Sequence, residues 1–388
     1  MSLYSRRGVS ARKEEVHHAT RSMSKGIYPR SFCKVFPDFL TSDDEFINVM
    51  HADGAGTKSI LAYLYWKETG DISIWKGIAQ DAVVMNLDDL LCIGIYDKIL
   101  FSSTIDRNKN LIPGEVLETI IDGTNEFFLK MQSFGINIHY LGGETADVGD
   151  LVRTVAVNGT MTARWPKNKL ITNENIKAGN VIVGLASFGQ SSYESTHNSG
   201  IGSNGLTSAR HDILGKYYAR HFKESYDTSL DEEVVYIGAN RFEKKTMDAN
   251  HANAADLLLS PTRTYAPIIK KLLEDHFDHI YGLVHCSGGG QTKCLNFVPD
   301  NVRIIKDNLF EPPPVFELIQ QTSRATEREM YQVFNMGCRM EIYTDEAEAP
   351  KLISLAKTFD VEARVIGRVE KNATKELVLT IQGEQFTF

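Results

Sequence analysis

The chain has 388 residues, of which 42% are hydrophobic and 24% charged, and it carries a formal net charge of −8. That length exceeds the roughly 250 to 300 residues at which one hydrophobic core stops growing, so two domains with a cleft between them are expected. The acidic balance excludes a protein whose main business is covering nucleic acid, and the ordinary apolar content excludes a long disordered tract.

The segment up to Lys34 runs against the overall charge. Arg6, Arg7, Arg12, Lys13, Arg21, Lys25, Arg30 and Lys34 face only Glu14 and Glu15 there. Such a segment reads as a solvated terminal arm or, more sharply, as an arm that closes over phosphates. The first residues have no apolar stretch of the secretory kind, and no later run approaches the ~18 apolar residues that span a bilayer, so cytoplasmic residence and no membrane partner are expected. Cys33, Cys92, Cys286, Cys294 and Cys338 form no C-x-x-C pair and read as reduced, buried thiols.

Residues 46–52 read as a strand and 74–93 as a helix, with a glycine loop between them. A second helix is expected over 113–133, opened by Pro113, and a second strand over 136–141 that runs into a tight turn at 142–147. The apolar rhythm breaks at 164–168 and resumes as a strand over 181–185, which divides the chain into domains 1–168 and 169–388. Further helices are expected over 264–274 and 315–321, with Gly288-Gly289-Gly290 as a loop.

The loop Asp53-Gly54-Ala55-Gly56-Thr57-Lys58 lets backbone N–H groups approach an anion while Lys58 adds positive charge. It is not a Walker loop, because Thr57 separates Gly56 from Lys58, and Ser59 stands where a dinucleotide fingerprint needs glycine. Gly200 to Gly205 matches G-x-G-x-x-G, but about a dozen residues beyond the nearest predicted strand. Asp81, Asp88 and Asp89 project near one helical face, a repulsion that a magnesium-nucleotide would relieve. Glu144 and Asp147 add carboxylates beside Gly142 and Gly143.

In order and spacing these motifs resemble the AIR synthetase (phosphoribosylformylglycinamidine cyclo-ligase) family, from Tyr4 to Gly367. D-G-V-G-T-K appears as Asp53 to Lys58, M-N-V-N-D-L as Met85 to Leu90 and G-G-E-T-A-E as Gly142 to Asp147. L-L-x-P-T-R-x-Y appears as Leu258 to Tyr265, H-x-T-G-G-G as His285 to Gly290, and E-M-Y-x-x-F-N-M-G-x-G-M as Glu329 to Met340. The chain departs from the pattern at Ser287, at Arg339 in place of a glycine, over Tyr28 to Leu40, and by an insertion at 190–202 that removes a family histidine, for which His197 is the candidate replacement.

The resemblance implies an α+β fold of two mixed α/β domains, with N-terminal sheets pairing into a barrel in a homodimer. It implies ATP-dependent closure of formylglycinamidine ribonucleotide to aminoimidazole ribonucleotide. Asp53, Asp89 and Glu144 would hold Mg2+ with the triphosphate, Lys58 would contact phosphate and Asn204 would shape the substrate site. Gly54, Gly56, Thr57, Gly142, Gly143 and Gly288 to Gly290 would line the nucleotide or substrate phosphate. A thiamine-phosphate kinase-like enzyme and a non-catalytic nucleotide sensor are the alternative readings.

Overall fold

Alternating apolar residues make the strand Phe46–Gly54 one-sided, with Ile47 and Val49 buried and Met50 turned to solvent. The computed structural model describes residues 3–10, 14–242 and 253–388; Arg12 and Lys13 of the basic segment lie outside them. The chain opens with α1 (Leu3–Arg6) and α2 (Glu14–Ala19), then β1 (Phe36–Pro37), β2 (Phe46–Gly54), α3 (Lys58–Thr69) and α4 (Ile74–Leu91). β3 (Ile99–Arg107), α5 (Gly114–Gln132), β4 (Ile138–Asp147) and β5 (Val155–Pro166) complete the first sheet, ordered β1-β2-β5-β3-β4.

The second half adds β6 (Val181–Ala186), β7 (Phe188–Gly189), β8 (Asn198–Ser199), α6 (Leu206–Ile213), α7 (Lys216–His221) and α8 (Ala254–Leu258). There follow α9 (Ala266–His276), β9 (Ile280–His285), β10 (Val302–Lys306), α10 (Pro314–Ser323), α11 (Glu327–Val333) and β11 (Cys338–Thr344). The chain ends with α12 (Ala349–Lys357), β12 (Ala363–Lys371), β13 (Glu376–Ile381) and β14 (Glu384–Thr387). Seven of these strands form a mixed sheet ordered β14-β13-β10-β12-β6-β11-β9.

α4 joins the halves. It packs on α5, β2 and β5 of its own sheet and also on α9 and β9 of the other. Its Val83 and Leu87 share one apolar cluster with Leu272, Leu283 and Met340. That position explains why nearly every face of α4 is buried and why its carboxylates need partners from both halves.

Two expectations change here. Residues 142–147 are not a tight turn but the second half of β4, parallel to β3 with a register shift between Phe101 and Ser103. Gly143 serves strand approach: a Cβ there would lie 1.8 Å from the Ser103 carbonyl oxygen. Among the described residues the basic segment is not wholly solvated. Arg7 is buried, with Nη1 2.7 Å from Asp212 Oδ1 and 2.8 Å from Ser208 Oγ, and Nε 2.8 Å from the Val234 carbonyl. Arg6 pairs with Asp231 and Glu233, so the start of the chain docks on the second domain, where buried acceptors outcompete water. All five cysteines are buried and free. Among the described residues no helix is long and apolar enough to cross a membrane.

Candidate functional site

β2 delivers Asp53 to the mouth of the glycine loop, and α3 begins directly after it at Lys58. The Gly54 N–H donates to Asp53 Oδ1 at 2.7 Å, Gly56 takes a positive φ of 58° beside open space, and Thr57 Oγ1 meets Thr207 Oγ1 at 2.6 Å. Lys58 is not displayed to a ligand. It is fully buried, with Nζ 2.9 Å from Asp81 Oδ1 and 2.5 Å from the Ser260 carbonyl. Burial first, and the charge of Arg339 after it, lower its pKa, while Asp81 acts in the opposite sense. The expected phosphate contact is therefore replaced by an ion pair with Asp81.

The three aspartates of α4 are answered by the protein itself. Asp81 Oδ1 also accepts from the Thr262 backbone N–H at 2.7 Å and from its hydroxyl at 2.5 Å. Asp88 accepts from Thr264 Oγ1 at 2.7 Å and lies 3.4 Å from Arg339 Nη2. Arg339, a departure from the family pattern, thus neutralises a buried carboxylate. Asp89 is held on both oxygens: His285 Nδ1 sits 2.6 Å from Oδ1 and His51 Nε2 3.1 Å from Oδ2. Burial disfavours the Asp89 charge, but the His285 and His51 contacts outweigh it and hold the carboxyl below its usual range. Relief of the helix-face repulsion comes from lysine, arginine and histidine, where the sequence reading placed a magnesium-nucleotide.

His51 is the residue that sequence reasoning missed. Asn86 Nδ2 donates to the carbonyls of Asp53 and Ala82, each at 3.0 Å, so its Oδ1 is left to accept from His51 Nδ1 at 3.1 Å. The other ring nitrogen faces the Asp89 carboxylate, an arrangement that favours the imidazolium. Burial opposes this charge, yet Asp89 and Asn86 raise its pKa above the ordinary value. The available signal was position: His51 precedes Asp53 by two on a strand and so faces the same side. Asp53 is pushed above its usual pKa, first by desolvation and then by the charge of Asp89.

Glu144 does not join Asp53 and Asp89. β5 and β3 separate its strand from β2, which at ~4.8 Å per strand is on the order of 14 Å. Gly142 and Gly143 lie on that same far strand. Among the described residues no group of three or more His, Cys, Asp or Glu side chains is arranged to hold a metal ion. The expected triad therefore does not assemble within one chain, because strand order separates one member and two imidazoles occupy another.

From the second domain, β9 brings His285 to Asp89 and ends at Gly288-Gly289-Gly290. Gly289 has a φ of 102° and Gly290 of 50°. A Cβ on Gly290 would lie 2.4 Å from the Phe334 carbonyl oxygen, so only glycine fits between that turn and the end of α11. Behind the loop, Lys306 pairs with Glu341 and donates to the Gln291 carbonyl at 2.7 Å. Asn204 is half-buried between Ser203, whose Oγ lies 2.8 Å from Thr262 Oγ1, and the start of α6. His197 is exposed on the insertion. The structure thus converges Asp53, Asp89, the first glycine loop and His285 at the head of the second, and leaves Glu144 outside.

Residues 39–165 match the family model of the AIR synthase related protein N-terminal domain, and residues 177–380 match that of the C-terminal domain. The chain is 32% identical over 325 residues to a phosphoribosylformylglycinamidine cyclo-ligase of Methanocaldococcus jannaschii, covering 84% of this chain and 79% of that protein. It is 30% identical over 336 residues to one of Staphylococcus carnosus, covering 86% and 82%. The solved structure of T. maritima PurL complexed with FGAR superposes with a TM-score of 0.56 at 13% identity; the match covers 97% of this chain but only about half, 49%, of that one, and it speaks to the fold.

Proposed function

The chain belongs to the AIR synthase related protein family in both of its domains, and from that footing we propose that it closes the imidazole ring of formylglycinamidine ribonucleotide. The reaction consumes ATP and gives aminoimidazole ribonucleotide, ADP and phosphate, a step of de novo purine biosynthesis. The observation that carries this reading is the 32% identity to a cyclo-ligase over 84% of the chain.

The chemistry asks for positioning more than for a covalent intermediate. An amide oxygen is a poor leaving group until it is phosphorylated; the amidine nitrogen then attacks the activated carbon and phosphate departs. Backbone N–H groups of Gly54, Gly56 and Thr57, and of Gly288 to Gly290, are the groups offered to phosphate oxygens. Asp53 and the clamped Asp89 form the acidic wall, and Asn204 borders the substrate. Lys58 acts through Asp81, fixing the start of α3. Magnesium enters as the companion of ATP, since Asp53, Asp89 and Glu144 build no resident metal site within one chain.

A homodimer is part of the same reading. Met50, Thr162 and Leu100 lie opposite one another across β2, β5 and β3, and Met50, Leu100 and Leu141 are 71%, 39% and 63% exposed. An apolar face of this kind suits pairing of two such sheets into a barrel. Residues 1–168 would then bind ATP and dimerise, residues 169–388 would complete the site, and the enzyme would work in the cytoplasm. The test is ADP release by the purified protein with magnesium-ATP and formylglycinamidine ribonucleotide, coupled to detection of the aminoimidazole product. Substrate-dependent release with product is expected; tight ATP binding with neither would point to a sensor.

A further inference from the structure

The glycine loop at the end of β9 is gripped on both sides by one buried ion pair. Its stems are Cys286, before Ser287, and Gln291, after Gly290. The Cys286 thiol donates to Glu341 Oε1 at 3.0 Å. Lys306 Nζ donates to the Gln291 carbonyl at 2.7 Å and lies 3.2 Å from Gln291 Oε1. Lys306 and Glu341 close the circuit by pairing with each other, both side chains fully buried. Burial first, and then the Glu341 charge, push the Cys286 thiol well above its ordinary pKa, so it stays protonated and remains a donor.

This pair does not come from neighbouring strands. β12 and β6 lie between β10, which ends in Lys306, and β11, which carries Glu341, so the two side chains reach across the sheet to meet. Tyr343 donates to Glu341 Oε2 at 2.9 Å, which leaves neither carboxylate oxygen idle. Gln291 extends the grip: its Nε2 donates to the carbonyls of Asn335 at 2.6 Å and Cys338 at 2.8 Å. Asn335 Nδ2 in turn donates at 2.8 Å to the carbonyl of Gly200, at the start of the stretch that leads to Asn204.

A buried ion pair adds little net stability over apolar side chains of similar volume, because desolvating both charges offsets their attraction. What it does supply is bonds of fixed direction. Gly288, Gly289 and Gly290 have more backbone freedom to lose than any other three residues, so an anion binding to them bears that ordering cost unless the stems are already fixed.

We propose that Lys306 and Glu341 are positioning residues that preorganise the Gly288 to Gly290 loop to receive a phosphate group. This rests on the cyclo-ligase reading above, in which the phosphate belongs either to ATP or to the ribonucleotide.

Lys306→Met, Glu341→Leu and the double variant are to be compared with the unmodified protein for the urea midpoint, kcat, and the KM of ATP and of formylglycinamidine ribonucleotide. Each single variant leaves one charge buried alone and should lower the midpoint, whereas the double variant removes both and should restore it. Without the lysine's bond to the Gln291 carbonyl, a KM should nonetheless stay raised by about tenfold in the double variant, with kcat changed far less. A rise for ATP assigns the loop to the nucleotide, a rise for the ribonucleotide assigns it to the ribose phosphate, and either or both support the positioning. Unaltered KM values with a restored midpoint overturn it, as does a loss confined to kcat. A midpoint that stays as low as in the single variants reduces any KM change to instability and overturns it too. Should the double variant not fold, Gln291→Met takes its place under the same tenfold criterion, since it keeps the ion pair and removes the bonds to Asn335 and Cys338. Absence of product from the unmodified protein would overturn the cyclo-ligase reading alone; dissociation constants of ATP and of the ribonucleotide for the same proteins then decide the positioning by the same criterion.

Discussion

Near the start of α4, Asp81 is met by a lysine of its own domain and by the backbone and hydroxyl of Thr262 from the other; two turns later, Asp89 is met by one imidazole from each domain. The first arrangement is sealed, with Lys58 and Asp81 side chains 0% exposed. The second opens toward solvent through His51, which is 22% exposed. A lysine gives a charge that is fixed across physiological pH, whereas imidazole charge can change there. The sealed end thus acts as a fastener between domains, and the open end is the part of the helix able to respond to a ligand.

The largest effect expected from this contrast is at the fastener. Lys58→Met leaves Asp81 buried without its cation and should cost about 3 to 5 kcal/mol in urea unfolding; a cost below ~1 kcal/mol would break the contrast. Asp89→Asn should instead act on chemistry. Turnover is expected to fall by about 100-fold or more, with a smaller loss of unfolding free energy than Lys58→Met. Unchanged activity in this variant would remove Asp89 from the site.

A pH series sharpens the same comparison. His51 has a folded pKa raised above its unfolded value of about 6.5, so its pairing with Asp89 stabilises fully below that pH and is lost as pH rises through the raised value. Unfolding free energies measured from pH 5.5 to 8.5 should therefore decline in the upper part of the range. His51→Gln should flatten that decline, and a slope identical in the variant would contradict the imidazolium assignment. The smallest effect is expected from Ser203→Ala, which removes one hydroxyl contact with Thr262 inside the second domain and should cost about 1 kcal/mol by the same unfolding assay.

Much of the first domain was legible because its elements are long and strongly patterned. The strand at 46–54 and the helices at 74–91 and 114–132 lie within a few residues of their predicted bounds. β5 and α3 were not foreseen. α3 is apolar on several sides, so it carries little helical periodicity. The turn expected at 142–147 failed for a related reason: two glycines read as a bend, whereas in β4 Gly143 allows close approach to β3.

At the site, the sequence by itself determined the chemistry available: a glycine loop between a strand and a helix, three aspartates along one helical face, a second glycine loop after a histidine, and the family that uses them. Tertiary structure alone decided which of those groups remain free. Lys58 reads as a phosphate ligand until a domain interface buries it against Asp81. Glu144 reads as a partner of Asp53 until strand order sets it at the opposite side of the sheet. Asp89 reads as a magnesium ligand until β2 and β9 bring an imidazole to each oxygen. Spacing along a chain fixes which residues share a face, but the partner that neutralises a buried charge comes from another element, and only packing chooses it.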